Sequence, residues 1–189
     1  SNALTLFQDF IRKYPTHPRV GESYFYIGTL YFLRKDYDQV LPNLRKSDLS
    51  ALTREQVTQA RFMMGYAYYD AGRTREAQSM FRQIRNDKSQ FGQQGAWYYA
   101  LLSYQNGNYQ EAYTAFSKLN KENDYSKNLD VYKASSLLKL QRYEELDALA
   151  SEIKRNGGGS SQLWFILANA AYEREEYPKA IEYFAKFTA

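Results

Sequence analysis

The residues that could carry out chemistry are few in this sequence, and a single histidine is the first of them. His17 is the only histidine, and it lies between Pro15 and Pro18. A serine, histidine and aspartate arrangement would depend wholly on it, and the G-x-S-x-G turn that presents a nucleophilic serine does not occur. We interpret His17 as a surface residue of a turn rather than as a catalytic base.

Carboxylates and glycines supply the other candidates. Metal ions such as calcium prefer oxygen ligands, but the runs Glu144-Glu145 and Glu173 to Glu176 fit solvated charge at helix ends better. Gly157-Gly158-Gly159 lacks the lysine and the preceding strand that a phosphate-binding loop requires. Cysteine is absent, which excludes disulfides, thiol catalysis and thiolate metal sites. The sequence therefore predicts no enzyme activity, no metal site and no cofactor.

The composition reduces the number of functions that the sequence could have. The 189 residues could form one or two domains or a single array of small repeats. The 25 basic and 21 acidic residues give a net charge of +4 and are dispersed, unlike the concentrated basic stripe of a nucleic-acid binder. No apolar run approaches the length of about 18 residues that a membrane-spanning helix needs. Tyrosine occurs 19 times, and this amphipathic side chain suits a core edge or a wet binding face.

The elements that would position such a face are visible as a repeat. A small residue recurs at Gly28, Gly65, Ala100, Ala134 and Ala168, with spacings of 37, 35, 34 and 34 residues. Twelve residues after each come Val40, Ala77, Ala112, Leu146 and Ala180. Four further on come Leu44, Phe81, Phe116, Ala150 and Phe184. The shared register predicts five tandem units.

Each unit is predicted to contain two helices, and the stretch from Gly65 to Ile84 shows why. Gly72 is typical of the residue that ends a helix. Ala77, Phe81 and Ile84 then follow at i, i+4 and i+7, which is one face of a second helix. We expect Gly65 to mark a close crossing of the two helices, with Phe81 filling the space beside it.

This pattern resembles the tetratricopeptide repeat, whose signature is W-x2-L-G-x2-Y, then A-x3-F, then P, on a period of about 34 residues. The matching segments are Tyr24-x-x-Ile27-Gly28-x-x-Tyr31, Met64-Gly65-x-x-Tyr68 with Ala77-x3-Phe81, Ala112-x3-Phe116, and Trp164-x-x-Leu167-Ala168 with Ala180-x3-Phe184. The unit around Ala134 departs most, with Asp130 at the Trp position and Ala150 at the Phe position. The resemblance implies an all-α fold, a right-handed α-solenoid of helix-turn-helix repeats.

The register also predicts boundaries. A helix over residues 4–14 would belong to a preceding partial repeat, followed by repeats at about 21–57, 58–92, 93–126, 127–160 and 161–189. Ser1-Asn2-Ala3 is typical of the scar of a cleaved expression tag. Thr53-x-x-Gln56 predicts a capping box at the start of a helix. The 34-residue spacing continues through Gly157 to Ser161, which predicts a turn between helices there.

The last helix is expected to carry an apolar face of Ile181, Phe184 and Phe187. No polar capping helix follows, although repeat arrays normally need one for solubility. We therefore expect a fragment of a longer array that associates with itself through a terminal helix.

In the family that this sequence resembles, the first helices of successive units line a concave groove. The resemblance implies the following groove residues: Phe25, Thr29, Phe32, Phe62, Tyr66, Tyr69, Trp97, Leu101, Tyr104, Phe165, Asn169 and Tyr172. Val131, Ser135 and Leu138 would line it in the fourth unit. Family members that clamp a terminal carboxylate place Lys, Arg and Asn at such positions, and the cations are missing here. Five of these residues could equally pack helix on helix, namely Phe25, Phe62, Trp97, Val131 and Phe165, whereas Tyr66, Tyr69, Tyr104 and Tyr172 are expected to face the groove.

The hypothesis that follows is a scaffold that binds an apolar or aromatic protein segment, chiefly through Tyr66, Tyr69, Trp97, Leu101 and Tyr104. A nucleic-acid-binding helical repeat is one alternative, because tyrosine can stack on bases. A non-catalytic helical domain of a larger enzyme is another.

The N-terminal piece suggests a compartment. The stretch FQDFIRKYPTHPRVGESYFYIGTLYF is similar to the repeats of bacterial envelope proteins of the Tol-Pal coordinator and outer-membrane assembly lipoprotein types. Periplasmic or cell-envelope localisation is the hypothesis that this short similarity offers.

Overall fold

The computed structural model describes residues 2–119, 128–156 and 158–188. Within these ranges the regular structure is helical throughout, with eleven α-helices, one short 3-10 helix and no strand. The prediction of an all-α fold is therefore confirmed. The chain forms two compact units, residues 1–99 and 100–189.

Unit 1 contains two complete helix pairs preceded by one helix. Its elements are α1 (Asn2–Lys13), α2 (Val20–Leu33), α3 (Tyr37–Leu44), a 3-10 helix (Leu49–Ala51), α4 (Arg54–Asp70), α5 (Thr74–Ile84) and the first part of α6 (Gln90–Gln105).

Unit 2 begins inside α6 and continues in the same alternation of helices. Its further elements are α7 (Tyr109–Phe116), α8 (Leu129–Lys139), α9 (Tyr143–Arg155), α10 (Ser161–Glu173) and α11 (Tyr177–Thr188).

The turn inside each helix pair has the same backbone conformation in all five pairs. One residue per turn adopts a left-handed conformation with φ between 56° and 78°: Lys35, Gly72, Gly107, Gln141 and Glu175. Its N–H bonds to the carbonyl three residues back, and the next N–H bonds to the carbonyl five residues back. This is the Schellman arrangement. Because backbone groups hold the turn, three non-glycine residues accept it despite a cost of about 1 kcal/mol each.

The close crossing predicted at Gly65 is confirmed. A Cβ atom added to Gly65 would lie 2.7 Å from Cε1 of Phe81, and one added to Gly28 would lie 2.5 Å from Cδ2 of Leu44. Phe81 and Leu44 are fully buried. In both pairs, therefore, a glycine on the first helix makes room for the large side chain of the second.

In unit 2 the small residues of the register are fully buried: Ala100, Ala134 and Ala168. The fourth pair, which lacks the usual Phe, fills its core with Leu149 beside the buried Ala150. The Trp164 ring stacks on Tyr183 at a centroid distance of 5.9 Å. The departure of this unit from the family pattern therefore leaves a continuous apolar core.

An ion-pair network joins α9 to the last helix pair. Arg174 contacts both carboxylate oxygens of Asp147 at 2.9 and 3.2 Å, and Lys179 Nζ lies 3.0 Å from Asp147 Oδ1. Burial of Asp147 raises the pKa of its carboxyl, but the hydrogen bonds from Arg174 and Lys179 outweigh burial and lower that pKa. Asp147 therefore stays ionised and links the turn after α10 to α9.

The described helices compare with the predicted boundaries as follows. The first helix begins at Asn2 and ends at Lys13, so it includes two residues of the predicted tag scar. The capping box is confirmed: Thr53 Oγ1 accepts from Gln56 N at 3.2 Å, and Gln56 Oε1 accepts from Thr53 N at 2.9 Å. The glycine-rich stretch lies between α9 and α10, as predicted. Ser1, the boundary at 126/127, Gly157 and Ala189 lie outside the described residues.

Candidate functional site

Two of the residues that the sequence offers as candidates for chemistry make structural contacts. His17 Nδ1 accepts a hydrogen bond from the Arg19 N–H at 3.1 Å, and its ring lies edge-on to Phe10 at 5.2 Å. Glu173 accepts a hydrogen bond from the Tyr143 hydroxyl at 3.2 Å. These contacts place His17 in a turn and Glu173 at a helix end.

Two kinds of feature do not occur in the described ranges. Nowhere in residues 2–119, 128–156 and 158–188 do three histidine, aspartate or glutamate side chains come together as metal ligands would. None of the helices in the described part of the chain combines the length and apolarity that crossing a bilayer requires.

The predicted groove residues differ widely in exposure. Four of them are buried, with 2%, 5%, 9% and 6% of their surface exposed: Phe25, Phe62, Trp97 and Val131. Nine are half-buried: Thr29, Phe32, Tyr66, Tyr69, Leu101, Tyr104, Ser135, Leu138 and Asn169. Two are exposed, Phe165 at 43% and Tyr172 at 61%. Side chains of the half-buried and exposed groups can reach a partner without any change in the helices.

Unit 1 brings five aromatic side chains into one connected group, here called the tyrosine cluster: Phe32, Tyr37, Tyr66, Tyr69 and Tyr98. Tyr66 is its centre, with ring centroids 5.6 Å from Phe32, 5.1 Å from Tyr37 and 5.5 Å from Tyr98. Tyr69 lies 5.3 Å from Tyr98. All five members are half-buried, so the cluster presents partly exposed rings from four helices, α2, α3, α4 and α6.

A buried layer supports the tyrosine cluster. Phe62 lies 6.2 Å from Tyr66 and 6.0 Å from Phe81. The ring of Tyr98 stacks on Phe81 at 5.2 Å with an interplanar angle of 19°. Tyr98 therefore joins the core of the second pair to the cluster above it.

The hydroxyl groups of the cluster interact as well as the rings. Burial of Tyr98 is the largest cause of its raised pKa, and the proximity of Tyr66 and a hydrogen bond with it raise that pKa further. Burial, the Tyr66 hydroxyl and, last, the charge of Asp70 raise the pKa of Tyr37. Tyr37 and Tyr98 are therefore neutral throughout the physiological pH range, and the cluster offers uncharged rings and hydroxyls.

Unit 2 has its own aromatic contacts. Tyr104 lies 5.3 Å from Tyr109 and 5.4 Å from Tyr132, which stacks on Phe116 at 5.2 Å. Thus Tyr132 on Phe116 repeats the geometry of Tyr98 on Phe81 in unit 1.

A second aromatic patch of unit 2 lies at its C-terminal helix pair. Phe165 lies 5.2 Å from Phe187, which is 40% exposed, and 6.2 Å from the half-buried Phe184. Ile181 on α11 is 69% exposed. The face predicted on the last helix is therefore partly open and continuous with a predicted groove residue.

Sequence reasoning missed Tyr37 and Tyr98 as members of the site. Tyr98 stands two residues before Ala100, a register position that was not considered for the groove. A signal was present, because Tyr132 occupies the same position before Ala134.

The family to which the chain belongs follows from comparison with known proteins. No curated protein matches the chain in sequence. Among solved structures, the chain is similar to a tetratricopeptide repeat protein from Parabacteroides merdae, with 16% identity, coverage of 98% of this chain and 84% of that one, and a TM-score of 0.48. The family model described as tetratricopeptide repeat matches residues 62–126 and 132–189, which is more than half of the chain. The helix pairs, their common turn and this match lead to one conclusion: the chain belongs to the tetratricopeptide repeat family.

Proposed function

We propose that the protein is a binding module that holds an apolar or aromatic protein segment against the tyrosine cluster of unit 1. Tetratricopeptide repeats are generally scaffolds for protein interaction and typically non-catalytic. The supporting observation is that five aromatic side chains contact one another at the surface while a separate layer of Phe62 and Phe81 fills the core. Tyrosine supplies a large, rigid contact area with only two rotatable bonds, which suits a binding surface.

Tyr69 is the best residue for testing this proposal. It is half-buried and contacts only Tyr66 and Tyr98 among the aromatic pairs of the described residues, so its loss removes little from the core. A Tyr69→Ala variant should bind peptides selected on the wild-type protein about 30-fold more weakly, which corresponds to the about 2 kcal/mol of an interface hot spot. Tyr69→Phe keeps the ring and should lose less than about fivefold.

The measurement is fluorescence anisotropy with peptides selected from a phage-displayed random library. Tyr177→Ala is the matched control, because Tyr177 is an exposed tyrosine of unit 2 and its loss should leave the affinity unchanged. Circular dichroism checks that each variant keeps its helices. The proposal fails if the wild type selects no peptides, or if Tyr69→Ala binds them as tightly as the wild type does.

Salt dependence separates this function from the nucleic-acid alternative. A surface of neutral rings should bind its segment with little change in affinity between low and high salt, whereas a nucleic-acid ligand would lose affinity steeply. Parallel titrations with a fluorescent single-stranded oligonucleotide supply the comparison. Because the lysines and arginines of this chain are dispersed, we expect no steep dependence of affinity on salt concentration.

We further propose that the protein associates with itself through α11. Ile181 and Phe187 are exposed on this helix, and Phe187 packs beside the exposed Phe165. Sedimentation velocity over a concentration series should show an oligomer that Ile181→Glu abolishes, because a charge on an apolar contact face must lose its hydration. A monomer at every concentration would contradict this proposal. The cell-envelope hypothesis stays a prediction.

A further inference from the structure

Asp70 lies at the edge of the tyrosine cluster, and a contribution to the stability of the fold does not explain its charge. It is the last residue of α4, where the helix dipole places partial negative charge and a carboxylate is unfavourable. Among the described residues its side chain has neither an ion pair nor a hydrogen bond, because the nearby Arg73 pairs with Glu76 instead. Within the described part of the chain, no cation therefore pairs with this exposed carboxylate.

Asp70 belongs to the face of α4 that carries the cluster. It follows Tyr66 by four residues, and side chains at i and i+4 are neighbours on a helix surface. Its charge also raises the pKa of Tyr37, so it acts on a second member of the cluster. One uncompensated negative charge thus stands beside a set of aromatic rings.

The hydroxyl groups add hydrogen-bond acceptors at the same place. The Tyr66 hydroxyl raises the pKa of both Tyr37 and Tyr98. Each hydroxyl has one donor and two acceptor positions. The three hydroxyls therefore offer more acceptor positions than donors. The combination of ring faces, spare acceptors and a carboxylate complements a group that is both cationic and rich in N–H donors.

We propose that the partner segment carries a basic side chain that binds between the tyrosine cluster and Asp70. Arginine is the side chain that fits this place best. This inference rests on the proposed function, since the same segment supplies the apolar contacts. A guanidinium is planar, stacks on aromatic faces and donates to several acceptors at once, and it is weakly hydrated compared with an ammonium. Cation–π contacts with the tyrosine rings and the ion pair with Asp70 act on the same group.

The experiment starts from the peptides that a random phage-displayed library yields on the wild-type protein. Enriched peptides should carry arginine or lysine at a fixed distance from an aromatic or apolar residue. One such peptide and its version with norleucine in place of the basic residue are then titrated into wild type and Asp70→Asn. Each single change should weaken binding about five- to tenfold, and both together should cost little more than either alone.

Glu55→Gln is the matched control, because it removes an equal charge from an exposed position in the first turn of the same helix. It should leave the affinity unchanged. Asp70→Asn removes an unfavourable charge from a helix end, so its melting temperature should equal or exceed that of the wild type.

The outcomes separate the two proposals. Apolar peptides that depend on Tyr69 but show no basic residue overturn this inference and leave the proposed function standing. Basic peptides that bind Asp70→Asn as tightly as wild type also overturn it. A library that yields no peptides, or only peptides insensitive to Tyr69→Ala, overturns the proposed function and this inference with it.

Discussion

Replacing Phe81 with alanine should lower the free energy of unfolding by about 3–5 kcal/mol, the cost of removing a buried phenylalanine. The Phe81 ring is fully buried, stacks on Tyr98 at 5.2 Å and lies 6.0 Å from Phe62. Gly65 stands beside it and has no side chain with which to fill the cavity. Because Tyr98 rests on this ring, the tyrosine cluster should also lose its peptide affinity.

Urea denaturation followed by circular dichroism measures the loss in stability. Phe116→Ala should show a loss of similar size, since Phe116 is equally buried and stacks on Tyr132 in the same way. Phe187→Ala should cost less than about 1 kcal/mol, because surface substitutions have small effects. A Phe81→Ala protein as stable as the Phe187→Ala protein would show that the assigned core is wrong.

Gly65→Leu should destabilise the protein by about 1–3 kcal/mol through overpacking. Even the first atom of the new side chain would meet Phe81 Cε1 at 2.7 Å and Met80 Cβ at 3.1 Å. The sign of the change is diagnostic, because leucine is a good helix former, whereas glycine costs about 0.8–1 kcal/mol relative to alanine. If α4 did not cross α5 closely at this point, the substitution would stabilise the protein.

The control for this prediction is a leucine substitution at an exposed position, where the new side chain has room. Ser79 is exposed on α5, so Ser79→Leu should change stability by less than about 0.5 kcal/mol. Thermal melts of both variants and the wild type provide the test. A Gly65→Leu melting temperature equal to or above that of the wild type would remove Gly65 from the helix crossing.

Residues with one strong local signal were predictable from the sequence. The crossing at Gly65 and the capping box at Thr53 were both found, because a small residue at a fixed interval and a Thr-x-x-Gln sequence each have one dominant structural meaning. The turns at Lys35, Gln141 and Glu175 carried no such signal. Their left-handed backbone is held by backbone hydrogen bonds to the preceding helix rather than by the residue in the turn.

Exposure within the predicted groove was harder to predict. Phe62 and Tyr66 are four residues apart on one helix, yet Phe62 is buried and Tyr66 is half-buried. Phe62 packs against Phe81 and Phe91 of the following helices, and these contacts join residues that are distant in sequence. Periodicity identifies a face of a helix, but it does not give the depth of each residue on that face.

The common turn of the helix pairs has a consequence for how such a chain can grow. In unit 2 the left-handed residues Gly107, Gln141 and Glu175 are separated by 34 and 34 residues. A block cut between two of them begins and ends in the same backbone conformation, and its junctions require no particular side chain. Gene duplication can therefore copy such a block in frame without requiring a new type of turn. Mutations can accumulate at the junction while the copies diverge.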